Sequence, residues 1–198
     1  MRVVILGSGH GTNARAILES QKKGNLGNAI VVGIISDRDD AGILEIADQY
    51  SIPSSVAKCS QRKAKLSDFD KEIFIKKINV FNPDLIVLAG FMKILPSTFI
   101  EYFQAQIINI HPSLLPCFKG INAIQQAFDH GVKISGCTVH QVSTEVDSGK
   151  ILAQAPVRIM DSDTIDTLTQ KIHAAEHVIL PSSIADLSLS NRGLSLDK

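Results

Sequence analysis

Three stretches of this chain, "VVILG" from Val3, "IVVGIIS" from Ile30 and "LIVLAG" from Leu85, are continuous apolar runs rich in β-branched residues, with no polar alternation. A strand with one wet face alternates; a strand covered on both faces does not. The runs therefore predict buried parallel strands with helices on either side. Each ends on a glycine or a short polar residue. Residues 12–23, 41–49 and 66–79 carry helical spacing, and a short strand over 52–56 fits between the last two. Strand and helix in alternation predict a doubly wound α/β sheet, mostly parallel and flanked by helices.

The second half adds different material. "AQIINIH" reads as a strand, residues 121–131 as a helix stopped by Gly131, and "GCTVHQV" and "KILAQAPV" as strands separated by the turn-rich "STEVDSG". They are expected to add an antiparallel hairpin to the sheet. Residues 161–180 open with capping residues and keep a helical period, which predicts a last helix there, and the tail over 188–198 is expected to fray.

At 198 residues and 44% hydrophobic, the chain has enough for one domain with a substantial core. Lysine plus arginine and aspartate plus glutamate both number 20. That balance argues against nucleic acid or an anionic membrane as partner and for a small molecule. Cys59, Cys117 and Cys137 form no CxxC pair, which fits a reducing cytoplasm. The start lacks the long apolar core of a signal peptide, and no run approaches a membrane span.

Two motifs point to chemistry. In "GSGHGTN" (residues 7–13) a strand feeds a glycine-rich turn into a helix, so backbone amides and the helix dipole would face an anion there. Its G-x-G-x-G spacing lacks the third glycine of a dinucleotide fingerprint and the lysine of a P-loop; a ligand-free tight turn is the competing reading. Asp37 ends the second strand, where a dinucleotide-binding domain would hold a ribose hydroxyl, so an NAD enzyme stays in view. In "NIHPSLLP" (residues 109–116), Asn109 and His111 share one face of a strand at the sheet edge where open α/β folds bind ligands. Pro112 should stop the ladder, and residues 113–116 should make a rigid, poorly hydrogen-bonded turn. An amide beside an imidazole suits acyl transfer, since both can steady an oxyanion; the alternative is that both merely satisfy turn backbone.

A carboxylate near His111 would orient it and favour its protonated form. Asp147, in the glycine-flanked "TEVDSG", is the best candidate over Glu145 and Asp129. His140, in mid-strand, reads as a hydrogen-bonded core or supporting histidine. "HAAEH" (residues 173–177) matches a zinc pattern, but it is short and no third ligand is signposted. "SQRKAKL" (residues 60–66) is basic without interleaved aromatics and reads as a solvated loop.

Taken together, "GSGHGTN", "DLIVLAGFMKILP", "INIHPSLLP", "GCTVHQV" and "DSGKILAQ" resemble the phosphoribosylglycinamide formyltransferase family over nearly the whole chain. The resemblance implies a Rossmann-like fold that moves the formyl group of 10-formyltetrahydrofolate to the amine of glycinamide ribonucleotide, without a metal. By the same resemblance, Asn109 holds the formyl oxygen, His111 is the acid that stabilises the tetrahedral intermediate, and Asp147 pairs with His111 and helps move the proton off the amine. The family's nucleotide site falls on Gly11, Thr12, Asn13, Gly90, Pro112, His173 and Glu176. Its folate site falls on Met92, Lys93, Ile94, Leu95, Asn109, Thr144, Glu145, Val146 and Asp147. It further implies a phosphoribosyl-binding half over 1–83, a folate-binding and catalytic half over 84–187, and a monomer or homodimer. Lys65 stands near where bacterial members often carry an arginine, and His173 where many have glutamine. A formyltetrahydrofolate hydrolase and a non-catalytic folate or nucleotide-binding module are the alternatives.

Overall fold

The computed structural model describes residues 1–60, 64–103 and 107–190. The apolar runs form β1 (Arg2–Leu6), β2 (Ile30–Ser36) and β4 (Leu85–Leu88), with β3 (Ser54–Val56), β5 (Ile107–His111), β6 (Ile134–Gln141) and β7 (Ile151–Arg158) completing one sheet. Its order is β3-β2-β1-β4-β5-β6-β7. Strands β1 to β5 run parallel, and β6 and β7 pair antiparallel, so the hairpin expected from "GCTVHQV" and "KILAQAPV" extends the sheet.

Alternation along the buried strands divides the core in two. Val3, Ile5, Leu85, Val87, Ile108 and Ile110 point to one side, while Val4, Leu6, Ile86, Leu88 and Ile107 point to the other. The first side is covered by α1 (Thr12–Lys22), α2 (Gly42–Gln49) and the last helix, through Ile17, Leu18, Ile43, Leu168, Ile172 and Leu180. The second is covered by α3 (Asp68–Asn79) and α4 (Ser97–Phe103), through Phe74, Ile78, Phe99 and Phe103. Each such side chain removed from water contributes roughly 1.5–3 kcal/mol, which is why β4 is buried along its full length. The helix α5 (Ala123–His130) ends at Gly131 in the left-handed conformation that glycine adopts freely.

The structure corrects one of these expectations and adds to the reading at two other places. The last helix, α6 (Ile165–Leu189), runs through Pro181 for another two turns instead of stopping at Leu180. Proline forfeits one helical hydrogen bond, but Leu180, Pro181, Ser183 and Ile184 are buried, and that packing outweighs the loss. Ser188 and Leu189 therefore belong to the helix; residues 191–198 of the expected tail lie outside the described residues. Helix α4 was not expected, because seven residues after Pro96 are too few to show a period. Finally, Ala64 and Lys65 at the end of "SQRKAKL" are exposed, as a solvated loop requires, but the segment is also anchored: the Ile94 N–H donates to the Ala64 carbonyl (2.8 Å) and the Leu66 N–H to the Ile94 carbonyl (3.1 Å). Gln61, Arg62 and Lys63 of that segment lie outside the described residues.

Candidate active site

Strand order reverses between β1 and β4, and the crevice above that reversal is where open α/β sheets accept ligands. The two exit loops are stitched together across it. Ser8 N–H donates to the Gly90 carbonyl (3.1 Å), and Met92 N–H to Ser8 Oγ (2.9 Å). Helix α1 starts beside them with Gly11 at its N-cap, φ 79°, and no side chain capping the first-turn amides. A Cβ at Gly11 would lie 2.7 Å from Ile43 Cα, so the position is both left-handed and crowded. Gly11→Ala is expected to cost on the order of 1–2 kcal/mol and to lower Tm by about 2–8 °C; an unchanged melting curve would contradict this packing.

Thr12 is exposed and Asn13 buried. Asn13 Nδ2 donates to Glu176 Oε2 on α6 (2.9 Å), a buried contact that ties α1 to the last helix. Burial raises the Glu176 carboxyl above its ordinary range, against the opposing effects of Asn13 and His173. The "HAAEH" pattern is thus divided: Glu176 faces Asn13, His173 is exposed, and His177 is half-buried with Nε2 unpartnered. Among the described residues no cluster of histidine, cysteine and carboxylate side chains could hold a metal ion. Asp37 is also buried, with Oδ1 unpartnered.

At the edge of β5, Asn109 and His111 share a face, and the antiparallel register sets His140 opposite Asn109 and Thr138 opposite His111. His111 and His140 are buried, at 5% and 2% exposure. His111 Nε2 lies 2.9 Å from the Phe118 carbonyl, and its Nδ1 lies 3.4 Å from Asp147 Oδ2. Both ring nitrogens therefore face oxygens. Asn109 Nδ2 lies 3.1 Å from His140 Nε2, and that same nitrogen is 3.6 Å from Asp147 Oδ1.

The turn after His111 is not poorly hydrogen-bonded, as its prolines suggested. Thr138 Oγ1 donates to the Ser113 carbonyl (2.7 Å) and accepts from Leu115 N–H (3.0 Å) and Gln154 Nε2 (3.0 Å). Gln154 Nε2 also reaches the Leu115 carbonyl (2.9 Å), and Ser113 Oγ donates to the Cys117 carbonyl (2.6 Å). Backbone buried without partners is costly, so side chains of β6 and β7 supply them. Thr138→Val keeps the shape and removes the hydroxyl at the centre of this network. It is expected to lower unfolding free energy by about 1–3 kcal/mol, measured by urea denaturation; a change within error would show that the hydroxyl is dispensable.

Asp147 reaches His111 from the loop between β6 and β7, with its backbone left-handed at φ 50°. The Gly120 N–H donates to Asp147 Oδ2 (2.8 Å), and Lys119 Nζ to Ser148 Oγ (2.6 Å), so two loops close over the imidazole. Burial alone would raise the Asp147 carboxyl, but His140, the Gly120 amide and the charge of His111 together hold it below the ordinary carboxylate range. The other acids considered stand apart: Asp129 accepts from Gln125 on α5, and Glu145 is exposed. Pro112 is half-buried beside His111.

Among the remaining sequence candidates, Met92 and Val146 are 73% and 49% exposed, Ile94 is tied to Ala64 and Leu66, and Leu95 is buried. Lys93 is half-buried, and Thr144 and Glu145 are exposed. Sequence reasoning missed Thr138, Gln154 and Phe118, and gave Gly120 no contact of its own. Register counted across the hairpin offers a signal for the first two, which lie opposite each other; the two backbone contacts leave none.

A family model described as formyl transferase matches residues 1–184. Phosphoribosylglycinamide formyltransferase of Bacillus subtilis is 38% identical over 193 residues, covering 97% of each chain. Trifunctional purine biosynthetic protein adenosine-3 of Homo sapiens is 38% identical over 183 residues, 92% of this chain but only 18% of that protein. Among solved structures, phosphoribosylglycinamide formyltransferase from Anaplasma phagocytophilum superposes with a TM-score of 0.87 at 40% identity, covering 95% of this chain and 87% of that one.

Proposed function

Because this chain belongs to the formyl transferase family, we propose that it transfers the formyl group of 10-formyltetrahydrofolate to the amine of glycinamide ribonucleotide. The products are N-formylglycinamide ribonucleotide and tetrahydrofolate, in purine biosynthesis. The observation that carries the reading is the convergence of Asn109, His111 and Asp147, with His111 Nδ1 3.4 Å from Asp147 Oδ2, in a chain similar over 97% of its length to the phosphoribosylglycinamide formyltransferase of Bacillus subtilis.

The amine nitrogen attacks the formyl carbon, and the carbonyl electron pair moves onto oxygen. Asn109 donates to that oxyanion and His111, protonated, stabilises it. Asp147 keeps the imidazolium oriented and helps carry the proton from the attacking nitrogen toward N10. Collapse of the intermediate breaks the carbon–N10 bond as N10 takes up a proton, which balances the reaction without a metal. The substrate phosphate sits on Gly11, Thr12 and Asn13 at the start of α1, where first-turn amides favour an anion. Gly90, Pro112, His173 and Glu176 line the rest of the nucleotide. Folate lies along Met92, Lys93, Ile94 and Leu95 and the loop Thr144, Glu145, Val146 and Asp147, whose exposed apolar side chains suit a flat heterocycle. On this reading residues 1–83 serve the phosphoribosyl group, 84–187 serve folate and catalysis, and the enzyme works in the cytoplasm. Among the described residues no helix is long and apolar enough to cross a membrane.

Carbon-13 in the formyl group tests the reaction type. Transfer puts the label in the amide of the nucleotide product; label appearing only in formate would replace transfer with hydrolysis, and unreacted label would leave a binding module.

A further inference from the structure

We propose that His140 is a positioning residue that fixes which edge of the Asn109 carboxamide faces the reacting carbonyl. This rests on the reading of Asn109 as the formyl-oxygen donor. A carboxamide is nearly symmetric in shape, yet only its nitrogen edge can donate to an oxyanion, so something must break the symmetry.

His140 has the means. Its Nδ1 lies 2.8 Å from the Gln141 carbonyl, an acceptor only, so Nδ1 carries the ring hydrogen. In the neutral ring Nε2 then presents a lone pair, and the atom 3.1 Å from it is the donor, the Asn109 nitrogen. That nitrogen has two hydrogens: one meets Nε2 and the other is left for the substrate. The flipped amide would set its oxygen against the Nε2 lone pair, with both atoms as acceptors.

The arrangement is held from several sides. Asn109 and His140 are a directly opposed cross-strand pair, and the ring is 2% exposed, so water does not compete. The charged group facing Nε2 is Asp147, whose Oδ1 is 3.6 Å away: a protonated ring would turn Nε2–H toward that carboxylate, whereas the neutral ring keeps Nε2 for the nearer Asn109 nitrogen. Its Oδ2 is occupied by the Gly120 N–H and faces His111. Asp147 thus orients His111 while His140 orients Asn109.

The test combines spectroscopy with two variants. Nitrogen-15 imidazole spectra of the wild-type protein should show the Nδ1–H tautomer at His140; an Nε2–H tautomer would overturn the proposal. His140→Leu, which has no acceptor, should lower kcat by about 10- to 100-fold while leaving KM for both substrates within about threefold. His140→Gln, which can accept through its amide oxygen, should recover most of that loss. Wild-type kcat in His140→Leu, or equal loss in both variants, would sink the idea. The tautomer measurement stands even where a variant fails to fold. It is also read in the free protein, so failure of the formyl-transfer reading, seen as no wild-type turnover, is told apart from failure of this one.

Discussion

His111→Ala should lower amine-dependent formyl transfer by about a hundred- to ten-thousand-fold, with KM for either substrate changed far less. The imidazole contributes at the moment the formyl oxygen becomes charged. Removing it therefore removes an interaction made in the transition state rather than in the ground state. Its surroundings are built for that: one nitrogen against the Phe118 carbonyl, the other toward Asp147, and the ring 95% buried. Alanine leaves Phe118 without that contact but does not disturb the network around Thr138, so the variant should fold. Steady-state kinetics alongside a melting curve check both parts. Activity within a few fold of wild type would remove His111 from the chemistry.

Asp147→Asn should lower kcat by roughly a hundredfold or more, because the amide preserves shape and can still accept from Gly120 N–H, but brings no charge to His111. Near-normal turnover would mean that another carboxylate supports the imidazole. The same substitution has a consequence for stability. The Asp147 carboxyl titrates below its unfolded value of about 3.9. Its ionised form therefore stabilises the fold, fully above the unfolded value, and that contribution disappears as pH falls through the folded one. The stability gap between wild type and Asp147→Asn should be widest near neutrality and close in acid. A gap that persisted or widened in acid would contradict the assignment.

Much of the frame was legible because it follows from local pattern. Both-face burial leaves its mark on "VVILG" and "LIVLAG", and glycine at residues 7, 9 and 11 marks a tight turn before a helix. The pairing of Asn109 with His111 on one face follows from the two-residue repeat of a strand. What could not be read depends on contacts far apart in sequence. Nothing in "NIHPSLLP" says that Thr138 and Gln154 will satisfy its backbone, so its prolines suggested a turn short of hydrogen bonds. Pro181 signals a helix end, and only the burial around Leu180 and Ile184 overrides it. The link between Ala64, Leu66 and Ile94 joins segments far apart in sequence that share no periodic signal. His140 read as a core or supporting histidine, because strand spacing shows which face a side chain takes, but not that Asn109 and Asp147 meet on that face.

The most direct test of formyl transfer is the loss of 10-formyltetrahydrofolate by the wild-type enzyme, followed with and without glycinamide ribonucleotide. The expected result is a rate that rises hyperbolically with the amine and is negligible without it. The same rate in both conditions, or none in either, would contradict the account.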